Sequence, residues 1–129
     1  MSASETLRAA IADRLLARPE FTNVDGLLRD TAPNALPQAR VDADVASDWG
    51  TKDKPGRELR SVVTVRVARG QRMRLPMMVA AAEAVGTALS GAIGDWQVGS
   101  AVLVRSRSID ATDGTRIATI EHRIRVLHA

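Results

Sequence analysis

The dipeptide Asp113-Gly114 sits between two β-rich stretches, residues 98–109 and 115–127, and this arrangement constrains the fold more than any other feature of the chain. Asp-Gly is among the strongest short turn signals, since both residues tolerate the positive φ that tight hairpins require. In the second stretch Ala118, Ile120, His122, Ile124 and Val126 recur at period two, the pattern of a half-buried strand. An antiparallel hairpin is therefore predicted for the last third of the chain.

A second hairpin is predicted upstream. Val41, Ala43 and Val45 alternate with Asp42, Asp44 and Ala46, and Leu59, Val63, Val65 and Val67 share one side of a later run. Between them residues 48–57, DWGTKDKPGR, hold two glycines and a proline, so a long polar arm or loop joins the strands.

Two helices complete the inventory. Ser2 and Glu5 stand at capping-box spacing ahead of Leu7, Ile11 and Leu15, which fall on one face of a helix ending before Pro19. Residues 75–89 form the second, with Pro76 in its first turn and an apolar stripe of Val79, Ala82, Val85, Ala88 and Leu89. Gly91 and Gly94 are expected to end it. Residues 19–37, punctuated by Gly26, Pro33, Asn34 and Pro37, read as mostly loop with one short helical turn at 24–28. The expected fold is α+β, in one domain spanning 1–129: an antiparallel sheet of about four strands with two helices on one face, in the order α-β-β-α-β-β.

Composition narrows the function classes. With 129 residues, 45% hydrophobic and 26% charged, the chain has ordinary globular usage and length enough for a core. The absence of cysteine excludes disulfides, thiolate metal sites and cysteine nucleophiles. MSASETLRAA has no basic stretch followed by an apolar run, and no apolar segment approaches the roughly 20 residues a membrane helix needs. Cytoplasmic synthesis without membrane association is expected. Basic residues exceed acidic ones by 18 to 15, are spread along the chain, and accompany only three aromatics, Phe21, Trp49 and Trp96. A base-stacking nucleic-acid platform is disfavoured.

No convergent catalytic set appears. His122 lies on the apolar side of the last strand with no partner ligand spaced nearby, which favours a satisfied core or interface histidine over a base or ligand. His128, one residue from the end, is expected to be frayed, and it lies roughly 20 Å along an extended strand from His122, too far to share a metal. Asp42 and Asp44 read as solvated strand charges, and Asp110 and Asp113 as turn residues. The glycines match neither a dinucleotide fingerprint nor a phosphate-binding loop. No enzyme activity, metal or cofactor is expected.

The outward sheet face is the more distinctive feature. Arg60, Arg66, Arg105, Arg107, Arg123 and Arg125, with Glu121, would all fall on it. A solvated face is one explanation. The planar, weakly hydrated guanidinium also suits a subunit seam, a channel wall or polyanion contact. A small nucleic-acid-binding module using this face is thus the alternative function.

The segment DWGTKDKPGRELR, residues 48–60, following the LRAAIADRLLA helix, resembles the phage tail terminator (tail completion, head-to-tail joining) family, in the version found in gene transfer agents and related prophages. The resemblance departs at LPQARVDADVAS, where the family has a more apolar strand start. It implies a structural virion protein at the tail-head junction, without reaction or cofactor. Such a subunit assembles as a ring, typically a hexamer, on the end of the tail tube, stops polymerisation and joins the head connector. A neighbouring head-tail adaptor role is the close variant. The implied partners are further copies, the tail tube protein, and a connector or adaptor, with DNA only a transient passenger. Under this resemblance Trp49, Lys52, Asp53, Lys54 and Arg57 are the candidate contacts of the loop, joined by the six arginines of the sheet face.

Overall fold

The computed structural model describes residues 2–25, the backbone of 27–28, and residues 35–50 and 54–128. Helix α1, Ala3–Leu16, starts as its capping box dictates: Ser2 Oγ accepts the Glu5 N–H at 3.2 Å, and the Ser2 N–H donates to the Glu5 carboxylate at 3.2 Å. Its apolar face, Leu7, Ile11 and Leu15, is fully buried. The chain then forms β1 (Asn23–Val24), β2 (Leu27–Leu28), β3 (Gln38–Asp48) and β4 (Gly56–Val67). A 3-10 turn, Arg69–Arg74, leads into α2 (Leu75–Thr87), followed by β5 (Gly91–Ile93), β6 (Trp96–Asp110) and β7 (Arg116–His128).

The expected sheet of about four antiparallel strands, in the order α-β-β-α-β-β, is overturned. The sheet has seven strands in the order β2-β1-β3-β4-β7-β6-β5, is curled, and is mixed, because β1 runs parallel to β3 through Val24 and Ala39. The three additional strands span two, two and three residues, too short to display a period of two. The helical turn expected at 24–28 is likewise absent. Asp25 adopts φ 53°, a left-handed conformation that reverses the chain and lets Leu27–Leu28 pair back on Asn23–Val24. Its side chain is fixed from two directions: a carboxylate oxygen accepts the Val41 N–H at 2.8 Å and another faces Arg8 at 3.4 Å. Gly26, Pro33 and Asn34 lie outside the described residues.

The two long hairpins stand as read, β3 on β4 and β6 on β7, with β4 and β7 joined at the centre. On the helix-covered side β4 contributes Leu59, Ser61, Val63, Val65 and Val67, and β7 contributes Ala118, Ile120, His122, Ile124 and Val126, all buried. Helix α2 meets them with Leu75, Met78, Ala81, Ala82, Val85 and Gly86. This face is rotated from the expected stripe: Met78 faces inward, Val79 is half-buried and Ala88 is exposed. In an alanine-rich helix the apolar residues do not single out one face, and the fit against the sheet decides. Gly86 shows the fit most directly, since a Cβ there would collide with the His122 ring. Gly91 and Gly94 do not end the helix. Gly91 opens β5 and Gly94 follows it, both with positive φ, and Gly94 turns the chain into β6.

Candidate interaction surface

On the side of the sheet away from the helices, the pairing places Arg60 opposite Arg123, Glu58 opposite Arg125, Val102 opposite Arg123, and Arg105 opposite Glu121. Paired residues in adjacent strands share a face, so Arg60, Arg66, Arg105, Arg107, Arg123 and Arg125 all project from one surface, as the alternation predicts. β6 reaches this register only through two bulges, at Gly99 and Val104, each of which slips the strand by one residue.

The arginines are arranged around two carboxylates. Glu121 takes the Arg60 Nε at 3.1 Å on one oxygen and the Arg105 Nε at 3.3 Å on the other. Glu58 takes the Arg125 Nε at 2.9 Å, with the Arg123 Nε at 4.0 Å. Each acid therefore neutralises part of a pair of guanidinium groups, Glu121 linking three strands across the face and Glu58 two. Solvent-facing pairs of this kind contribute about 0–1 kcal/mol each, so they adjust the charge of the surface more than they hold the sheet. Arg66 and Arg107 make no ion pair among the described residues. Glu58 was not singled out from sequence, although its position two residues before Arg60 on the same strand already puts it on the arginine side.

Trp49 closes one end of this surface. It is half-buried, its ring lying against the backbone at Gly99, where a Cβ would come within 3.4 Å, and the Arg125 guanidinium sits 5.5 Å from its centroid. It is thus folded back, but on the arginine face and not on the core. Arg57 points to the other side of the sheet, pairing with Asp48 at 3.3 Å and lying 6.0 Å over the buried Trp96 ring. Lys54 is exposed, and Lys52 and Asp53 lie outside the described residues. The loop candidates therefore divide: Trp49 joins the arginine face and Arg57 does not.

His122 is a core residue, 1% exposed, with Nε2 3.1 Å from the Glu83 carbonyl and 3.4 Å from the Thr87 hydroxyl. Burial pushes its pKa below the ordinary value, partly offset by the Glu83 carbonyl and the Glu83 charge. His128 is not frayed. Its N–H donates to the Pro55 carbonyl at 2.8 Å and its ring stands edge-on to Trp96 at 5.0 Å, so the strand is anchored to its end. Asp42 and Asp44 are exposed on β3, and Asp113 accepts the Thr115 N–H and hydroxyl at 3.0 and 2.6 Å, as a turn aspartate does. Those hydrogen bonds, with a smaller contribution from Arg66, hold the Asp113 carboxyl below the usual range. Among the described residues no group of three or more His, Asp or Glu side chains is placed to hold a metal ion, and no helix is long and apolar enough to cross a membrane.

No protein-family model matches the sequence, and no curated protein matches it. A chain from a virion shares the fold. It belongs to a native gene transfer agent particle and superposes with a TM-score of 0.73 at 24% identity, covering 98% of this chain and 99% of that one. At this identity it is a likeness of fold.

Proposed function

We propose that this chain is a structural virion protein and, within the particle, the subunit that assembles as a ring on the end of a tail tube, stops its growth and joins it to the head connector. The observation that carries the reading is the fold shared over its whole length with a chain of a gene transfer agent virion. The narrower role rests on the resemblance of residues 48–60 to tail terminators. In this role the chain catalyses no reaction and needs no cofactor. Its partners are further copies, most simply a hexamer, the tail tube protein, and a connector or adaptor protein, with DNA passing through transiently.

Support also comes from the arginine face. A surface meant to hold nucleic acid gains by leaving its cations unpaired, whereas here Glu58 and Glu121 engage four of the six arginines. Such a surface suits a seam between subunits or a passage that DNA must leave without sticking. Negative-stain electron microscopy of particles from the producing strain with this gene deleted tests the reading. Overlong tubes, with tails unattached to filled heads, are expected. Tubes of normal length beside unattached heads would move the role to a head-tail adaptor, and complete normal particles would overturn it and favour the nucleic-acid module.

A further inference from the structure

The sheet has two long open edges, and they differ in charge. On one side β1 covers β3 only at Ala39, and Asp25 and Arg8 occupy the main-chain N–H and C=O of Val41. From Asp42 to Asp48 no described strand pairs with the outer side of β3. On the other side β5 covers β6 only from Trp96 to Val98, and no described strand pairs with its outer side from there to Asp110. Open edges of this length are templates for strand addition. The β3 edge carries Asp42 and Asp44 and the β6 edge carries Arg105 and Arg107; of these only Arg105 has an ion pair among the described residues, with Glu121. All four side chains project from the same face of the sheet.

We infer that copies of this chain join head to tail by strand addition, the β3 edge of one copy pairing antiparallel with the β6 edge of the next, with Asp42 opposite Arg107 and Asp44 opposite Arg105. The inference rests on the ring reading above and specifies its seam. Three independent features agree with it. First, β3 and β6 run in opposite directions within the sheet, so a second copy brought alongside by rotation alone presents an antiparallel neighbour, and repetition of that rotation can close a ring. Second, this register satisfies the backbone. Val41 turns its main-chain groups to the open side, Ala43 repeats that orientation two residues on, and the same alternation followed through β4 and β7 gives outward-facing amides to Ser106 of β6. Opposing Asp42 to Arg107 sets Ala43 opposite Ser106, the pair that can exchange both hydrogen bonds. Third, both edges expose apolar side chains on the helix side, Val45 at 49% and Leu103 at 37%. Next to Leu103's strand an open groove of about 470 Å³ runs between α2 and β6, walled by Pro76, Val79 and Ala80. In this register a neighbour's Val45 falls beside Leu103 and Val104, and its Val41 stands opposite Ser108 at the groove's wall.

The absence of native cysteine makes the seam directly testable. In purified particles, a chain with Ala43→Cys and Ser106→Cys should pass under mild oxidation from monomer to a ladder of covalent multimers that ends at the ring number, while each single substitution gives no ladder. Wild-type protein missing from the particles would remove the virion reading itself. Incorporated double variant without a ladder, or dimers from Ser106→Cys alone, would overturn the seam and leave the virion reading standing. Charge reversal is the second arm: Asp42→Arg with Asp44→Arg, and Arg105→Asp with Arg107→Asp, should each lose assembly, and their combination in one chain should regain it. Failure of the combined variant to regain assembly while it remains folded would also overturn the seam.

Discussion

β6 and β7 are the two arms of one hairpin, yet they live in different environments. β7 buries Ala118, Ile120, His122, Ile124 and Val126, whereas β6 buries only Trp96 and leaves Val102, Leu103, Val104 and Ile109 exposed. Their apolar content is comparable. What separates them is position: β7 lies between β4 and β6 beneath the helices, and β6 borders open solvent along most of its length. A strand's own sequence sets its propensity to be a strand, and its neighbours set what burial it obtains. Apolar residues left uncovered on an open edge are then the places where a partner adds most.

The contrast should be largest in stability. Ile124→Ala on β7 is expected to cost about 2–5 kcal/mol in denaturant unfolding, and Leu103→Ala on β6 about 1 kcal/mol or less. Equal costs would mean that β6 is covered in the isolated chain. Next in size is Gly86→Ala, which drives a methyl group into the His122 ring and should cost about 1–3 kcal/mol despite the better helix propensity of alanine. Adding His122→Ala should recover part of that loss, so the two effects fall short of additive in a double-mutant cycle.

A smaller effect distinguishes β7 by pH. His122 is buried neutral, so its folded pKa lies below the ordinary 6.5 of the unfolded chain. As pH falls through 6.5 the unfolded state takes up a proton that the folded state refuses, and stability drops until the folded pKa is passed. The slope is at most about 1.4 kcal/mol per pH unit. Replacement of His122 by glutamine should remove that component from the unfolding-versus-pH curve, and an unchanged curve would assign it to another group. Smallest in stability, below about 1 kcal/mol, is Glu58→Gln with Glu121→Gln on the opposite face. That pair should instead raise affinity for double-stranded DNA in a filter or fluorescence assay, with the gain lost as salt is added. No change in DNA affinity would mean that the two carboxylates do not govern this face.

The long elements were legible because each repeats its signal. The capping box of α1, the β4 and β7 alternations and the Asp-Gly turn all lie where local chemistry and packing agree. The arginine face was legible for the same reason, since period two survives over Arg60, Arg66, Arg123 and Arg125 without interruption. The two- and three-residue strands were not, because they exist through pairing, as the left-handed Asp25 and its bond to Val41 illustrate. The inward face of α2 was misread by one position at Met78 and Val79, where only the docking partner decides. Trp49's seat on Gly99 depends on a bulge that no local signal announces.

That bulge and its companion at Val104 explain why β6 has 15 residues where β7 has 13. Together they make β6 the part of the chain where length itself is negotiable. Deletion of Val104 would restore continuous pairing and leave every other side chain on its present side, whereas deletion of a residue away from the bulges would reverse the sides of the residues between it and the nearest bulge or strand end. Gly99 is the less expendable of the two, because Trp49 rests on it. In a lineage of such chains, single-residue gains and losses are therefore expected to gather at position 104, where the hairpin can change size without changing which side faces what.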